Sequence, residues 1–230
     1  MKSISRASLA LLLGSVALPA LAADLPSSTF APAAPLLAQP SPWMIRVRAM
    51  VVAPQSSASV SVNGGASTTS LHASTAVVPE LDISYFFTKN IAAELVLGVT
   101  PHDVKGTGAL AGLGKIGSTW LLPPTLLLQY HFTDLGAFKP YIGAGVNYTR
   151  TFNNVAKGPM SSFKVKSAPG LALQAGLDYM IDQHWGLNLD VKKLWLRPDA
   201  IATLTAGLLP VTAKVKLDPW LISTGVTYRF

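Results

Sequence analysis

The sequence predicts an all-β protein, an eight-stranded antiparallel transmembrane β-barrel with short periplasmic turns and long extracellular loops. Three observations carry this. Half of the 230 residues are hydrophobic and only 13% are charged, against roughly 25% charged in a soluble domain. After the N-terminal segment no stretch can be a spanning helix. The longest apolar run, 120–128, contains Pro123 and Pro124 and falls far short of the roughly 20 residues a membrane helix needs. Segments of about ten residues instead alternate apolar and polar side chains with period two. An apolar exterior without spanning helices points to a closed barrel, because only closure satisfies every strand amide in lipid.

Residues 1–22 read as a cleaved signal peptide. Lys2 and Arg6 precede an apolar stretch, and Ala20-Leu21-Ala22 forms a cleavage site, so the mature chain is expected to begin at Ala23. Losing Lys2 and Arg6 lowers the formal charge from +7 to +5. Residues 23–42 form a Pro/Ala-rich leader (Pro26, Pro32, Pro35, Pro40, Pro42), expected to be an extended, solvated periplasmic tail. The absence of cysteine excludes a disulfide scaffold and thiolate chemistry. High hydrophobicity excludes a disordered chain.

Residues 43–230 are expected to form the barrel. The eight strands fall at Trp43–Ala53, 77–87, 91–100, 125–132, 141–149, 171–181, Trp185–Leu196 and 221–230. In the last, Ile222, Thr224, Val226, Tyr228 and Phe230 share one face, and Ser223, Gly225, Thr227 and Arg229 share the other. Short turns (88–90, 133–139, 182–184) alternate with long connections (54–73, 102–118, 152–166, 197–213). That asymmetry fits the periplasmic and extracellular ends of an outer-membrane barrel. A secreted β-sandwich, the rival architecture, would not keep it. Trp43, Phe87, Phe132, Tyr141, Tyr179, Trp185, Tyr228 and Phe230 stand beside short turns, as an interfacial aromatic girdle should. Lys192-Lys193 sends one charge outward unless a bulge intervenes.

The closing Tyr228-Arg229-Phe230 resembles the C-terminal signature of bacterial outer-membrane proteins, which implies delivery by the barrel-assembly machinery. Lys139-Pro140-Tyr141-Ile142-Gly143-Ala144-Gly145-Val146-Asn147-Tyr148, Leu122-Pro123-Pro124-Thr125 and Val215-Lys216-Leu217-Asp218-Pro219-Trp220 are similar to the OmpW family. That resemblance implies passage of small hydrophobic molecules across the bacterial outer membrane through a narrow barrel.

An eight-stranded barrel is just wide enough to be filled by side chains or to hold one small ligand, which excludes a water-filled general porin. Arg46, Arg48, Glu80, Asp82, Glu94, Asp178, Asp190 and Arg229 are expected to point inward. Their mixed signs favour a structural ion-pair network plugging the periplasmic half over a transport relay. Inward glycines (Gly98, Gly143, Gly145, Gly176, Gly186, Gly225) either leave a passage or make room for larger neighbours such as Phe86 and Tyr141.

Pro79, Pro124, Pro169 and Pro219 precede the periplasmic ends of descending strands by 8 to 12 residues. Pro54, Pro101 and Pro198 end ascending ones. At about 3.3 Å per residue and a tilt near 40°, eight residues climb roughly 20 Å, close to the upper edge of an apolar band about 25 Å tall. Either these prolines simply stop strands, or they break the ladder and open a lateral exit into lipid. The apolar loop residues Leu110, Leu113, Leu208 and Leu209 would then capture a solute that passes Trp120 and Trp195 and leaves near Pro123 and Pro124.

The expected partners are outer-membrane lipids and lipopolysaccharide, whose phosphates suit the loop cations Lys105, Lys115, Lys157, Lys164, Lys166, Arg197, Lys214 and Lys216. The barrel-assembly machinery and small apolar solutes complete the set, and no nucleic acid is expected. His72, His102, His131 and His184 suggest neither a nucleophile–base pair nor a metal spacing, so neither an enzyme nor a cofactor is expected. The alternative reading is a structural or adhesive barrel whose extracellular loops bind a host, phage or bacteriocin partner.

Overall fold

The computed structural model describes residues 41–55, 57–66 and 71–230. The expected signal peptide (1–22) and residues 23–40 of the leader lie outside them. The strands are β1 (Trp43–Ala53), β2 (Ser57–Val62), β3 (Gly65–Ala66), β4 (Leu71–Ala73), β5 (Ala76–Phe86), β6 (Ile91–Gly98), β7 (Thr100–Gly106), β8 (Lys115–Leu122), β9 (Thr125–His131), β10 (Phe138–Ala156), β11 (Met160–Val165), β12 (Ala168–Met180), β13 (Trp185–Leu196), β14 (Asp199–Leu204), β15 (Pro210–Lys216) and β16 (Trp220–Arg229).

Eight of them close a barrel in the order β12–β13–β16–β1–β5–β6–β9–β10, with β10 pairing back onto β12. Every pairing is antiparallel, and the end strands meet as Met44 opposite Arg229 through Ala53 opposite Trp220. Closure removes the free edges that lipid could not satisfy. Valine, isoleucine, leucine and aromatic side chains alternate with small or polar ones along each strand, so the exterior is apolar at Val47, Leu81, Leu95, Leu128, Leu173 and Leu189.

The long connections carry strands of their own. They are hairpins that raise the wall above the membrane. One sheet continues as β10–β8–β7–β4 and a second runs β11–β14–β15–β2–β3. Their inward residues, among them Val60, Leu71, Ile116, Phe163, Ala202 and Val211, pack into a separate apolar core. Asn63 and Gly64, with φ of 48° and 82°, form a two-residue Asn-Gly turn closed by Val62 opposite Gly65, where both positions need positive φ.

Candidate functional site

Two aromatic rings mark the bilayer. Trp43, Tyr85, Phe87, Tyr130, Phe132, Phe138, Tyr179, Trp185 and Phe230 are exposed near the short turns, and Trp120, Tyr148, Phe152, Trp195 and Trp220 are exposed near the top of the barrel strands. Tyr141 departs from the expected girdle. Its ring is buried in the lumen, stacks on His131 at 5.0 Å and donates a 2.7 Å hydrogen bond to Asp190. A Cβ on Gly176 would lie 2.3 Å from that ring, so the glycine leaves room for the tyrosine.

The lower lumen is a polar floor. Arg46 forks onto Asp178, with Nε to Oδ1 at 3.1 Å and Nη2 to Oδ2 at 2.6 Å, and also pairs with Glu94. Arg48 contacts Glu80 at 2.6 Å, pairs with Asp82 and lies 3.5 Å from Asp190. Lys192 reaches Asp190 at 2.6 Å and Glu80 at 3.1 Å. Gln174 donates to both Glu94 and Asp190 at 2.8 Å. These ionic side chains are almost wholly removed from solvent, where an unpaired charge would be very costly. Arg229 stands apart from the ion pairs, its guanidinium 4.4 Å from the centre of the Phe86 ring.

Two residues further up each strand the lumen changes character. Met50 follows Arg48, Val78 precedes Glu80, Val96 follows Glu94, Leu127 precedes Gln129, Leu194 follows Lys192 and Leu221 precedes Ser223. These apolar residues form one buried cluster. Above it lies a cavity of about 60 Å³ whose wall includes Val52, Thr100, His102, Thr119, Leu121, Pro123, Thr149, Leu196 and Leu217, with Phe163 near its top. The lumen is therefore an apolar chamber standing on an ionic floor.

The wall weakens beside this chamber. β6 pairs with β9 up to Val96 opposite Thr125, and β7 pairs with β8 from Thr100 opposite Leu121. Between these limits residues 97–99 face 122–124, where Pro123 and Pro124 have no N–H to donate. On the other side, the β5–β6 ladder stops at Glu80 opposite Gly98, and the next backbone bond above runs from Ser74 N–H to the Asp103 carbonyl at 3.0 Å. Pro79 and Pro101 lie in that interval. Val99 is thus unpaired on both sides. Asn147 pins the opposite flank, donating from Nδ2 to the Pro123 and Pro124 carbonyls at 3.1 and 3.3 Å. The expected proline rim is only partly a break, because Pro79 and Pro169 sit inside strands paired as Ala49 opposite Pro79 and Tyr148 opposite Pro169.

Several sequence assignments change. Trp120 and Trp195 are 41% and 37% exposed on the outer surface, because alternation turns their neighbours Leu121 and Leu194 inward. Neither tryptophan lines the lumen. Leu113 packs against the extracellular core, Leu209 is exposed, and the side chains of Leu110 and Leu208 lie outside the described residues. Residues 200–204, just before Leu208 and Leu209, belong to β14, whose Ala200 and Ala202 are buried in that core. Lys192 was missed as a lumen charge, although it shares a face with Asp190 two residues away. Lys193 points outward without a bulge. Its ammonium bonds Gln55 at 3.0 Å and lies 4.8 Å from the Trp220 ring centre, at the level of the upper girdle. His102 lies in β7, above the spanning strands. Burial lowers its proton affinity, and its contact with the Ser74 carbonyl offsets this only in part.

A closed antiparallel barrel with an apolar waist, two aromatic rings and a charge-filled interior defines an outer-membrane β-barrel protein. A family model described as the OmpW family matches residues 41–230. The chain belongs to the OmpW family. It is 50% identical over 212 residues to the uncharacterized outer-membrane protein y4mB of Sinorhizobium fredii, covering 92% of this chain and 90% of the relative. It is 34% identical over 203 residues to the dibenzothiophene metabolism operon protein PahQ of Pseudomonas aeruginosa, covering 87% of this chain and 94% of that one. The crystal structure of OprG from Pseudomonas aeruginosa superimposes with a TM-score of 0.78 at 30% identity, over 84% of this chain and 97% of that one. The protein is one of the bacterial outer membrane.

Proposed function

We propose that this barrel passes small apolar solutes from the cell surface into its upper chamber and releases them sideways into the bilayer. The observation that carries the reading is the division of the lumen. A solute in the chamber meets buried ion pairs below it and, beside it, the strip 97–99, which has no ladder partner on its Pro123–Pro124 side. Displacing apolar contacts costs far less than breaking paired charges out of reach of water. The cavity of about 60 Å³ is smaller than the roughly 150 Å³ apolar cavity that accepts benzene. Passage therefore involves side-chain movement, for which the unbranched Met50 is well suited. The name of the dibenzothiophene-operon relative, which refers to an apolar aromatic, favours the same solute class. The reading extends to the partners: anionic lipid and lipopolysaccharide phosphates around the upper cations, and the assembly machinery at Tyr228 and Phe230. Residues 1–22 and 23–42 act as signal peptide and periplasmic leader.

Replacing Pro123 by Val and Pro124 by Thr restores two backbone donors facing 97–99 and lets the ladder continue. Flux of an apolar tracer into proteoliposomes should fall while the folded barrel remains as heat-resistant as the parent. Unchanged flux in the folded variant would exclude the sideways route. An adhesive barrel, the second reading, would show no apolar flux in the parent either.

A further inference from the structure

Two polar side chains on the chamber wall belong neither to the ionic floor nor to the apolar packing. His102 on β7 and Thr119 on β8 are directly opposite in the antiparallel ladder, and both line the chamber. Each is almost fully buried, at 4% and 3% exposure. Opposed positions of this kind hold their Cβ atoms about 4.5–5.5 Å apart, close enough for one small group to touch both side chains. The Thr119 hydroxyl has no hydrogen-bond partner among the described residues. Buried hydroxyls are normally satisfied, and leaving one unmet costs stability.

The chemistry of the pair is set by Ser74. The His102 Nδ1 lies 2.7 Å from the Ser74 carbonyl oxygen. A carbonyl can only accept, so Nδ1 carries the proton and Nε2 of the neutral ring keeps its lone pair. Thr119 Oγ1 can both donate and accept. A ligand group engaging both must donate to Nε2 and can accept from Oγ1; a hydroxyl does both at once, whereas a ketone, ether or hydrocarbon has no proton to donate. The pair lies one ladder position above Pro101 opposite Trp120, with His102 three residues along the chain from Val99.

Resting on the chamber being the solute path, we propose that His102 and Thr119 form a hydroxyl-binding subsite, which selects small apolar molecules bearing a single alcohol or phenol group. Each neutral hydrogen bond in a dry site adds a preference of roughly two- to tenfold over the same molecule without its hydroxyl. The apolar body of the ligand rests against Leu121, Leu196 and Met50.

The test uses the refolded full-length chain in lipid nanodiscs, with ¹⁵N-histidine and ¹³C-methyl-methionine labels. Benzyl alcohol and toluene are titrated at matched concentrations in the lipid. Both should perturb the Met50 methyl signal saturably, benzyl alcohol at the lower concentration, and only benzyl alcohol should shift the His102 Nε2 resonance, assigned by its loss in His102→Phe. Thr119→Val should reduce the preference, Thr119→Ser should restore it, and Thr119→Val combined with His102→Phe should bring the two ligands to parity. Equal affinities in the parent, or a preference undiminished in Thr119→Val, would overturn the subsite while leaving the chamber as a solute path. Failure of both ligands to perturb Met50 would overturn the chamber reading and the subsite with it.

Discussion

At the scale of single residues, the lumen floor shows how sign and count govern a buried network. Three cations, Arg46, Arg48 and Lys192, are joined to five carboxylates, Glu80, Asp82, Glu94, Asp178 and Asp190. Removing a cation leaves acids with too little positive charge, whereas removing an acid relieves a surplus. Arg48→Met should therefore lower thermal stability, by a few kcal/mol as is typical when one partner of a buried pair is lost. Asp82→Asn, which leaves Glu80 beside Arg48, should cost little or stabilise. Differential scanning calorimetry of the two variants checks the contrast, and the opposite ranking would show that Asp82 holds Arg48 in place. All of these groups except Lys192 were legible from alternation. Lys192 was obscured because the adjacent pair Lys192-Lys193 gives both faces of one strand the same residue type, so composition could not say which lysine turned inward.

At the scale of elements, the short turns and the chain end set the register that alternation alone leaves open. Asp182 in the β12–β13 turn accepts hydrogen bonds at Oδ1 from the His184 and Trp185 amides, at 2.7 and 2.6 Å. These bonds lower its proton affinity below the usual carboxylate range. A depressed folded value means that this contribution to stability is complete above the unfolded value of about 3.9. It is lost as pH falls through the folded value. The His184 and Trp185 amide shifts should thus titrate at lower pH than a free aspartate, and Asp182→Asn should abolish that transition. At the same end of the barrel, Phe230 bonds its amide to the Trp43 carbonyl at 3.2 Å and sets its exposed ring 4.9 Å from Tyr228. Phe230→Asp places a charge in the lower aromatic ring. The heat-modifiable, folded form in outer membranes should drop sharply while export continues, and normal levels would remove Phe230 from any role in assembly. The turns were legible from residues 88–90 and 182–184. The extracellular hairpins were not, because their short strands are spaced by Gly, Ser and Thr and read locally as loops.

At the scale of the whole barrel unit, two interiors are stacked on one wall. The lower is ionic with an apolar ceiling, and the upper is a small apolar core tied together by the extracellular hairpins. The belt of prolines separates them and limits the backbone bonding between the layers. Phe163, whose ring lies 2.5 Å from where a Cβ on Gly117 would sit, packs in the upper core and not in the apolar cluster above the ionic floor. Phe163→Ala should cost that core about 3–5 kcal/mol. Amides of β11, β14 and β15 should then exchange with solvent faster, while those of β1, β13 and β16 below the belt keep their protection. Uniform acceleration across both layers would mean that the belt does not uncouple them.

Much of this protein follows from the linear order of its residues. Period-two alternation, the absence of a spanning helix, the aromatic residues beside short turns and the motifs around Pro123, Tyr141 and Pro219 determine an outer-membrane barrel, its strands and its family, because each is a local property of one strand or turn. The tertiary structure alone decided which residues meet. Arg46 finds Asp178 across 132 positions of sequence, and Trp120 faces out while Leu121 faces in. The polar-to-apolar switch falls at one height on six different strands, and the His102–Thr119 pair arises where two hairpin strands align. These depend on register and closure, which are set by all the strands together: a shift of one residue in any ladder would turn that strand's inner face outward.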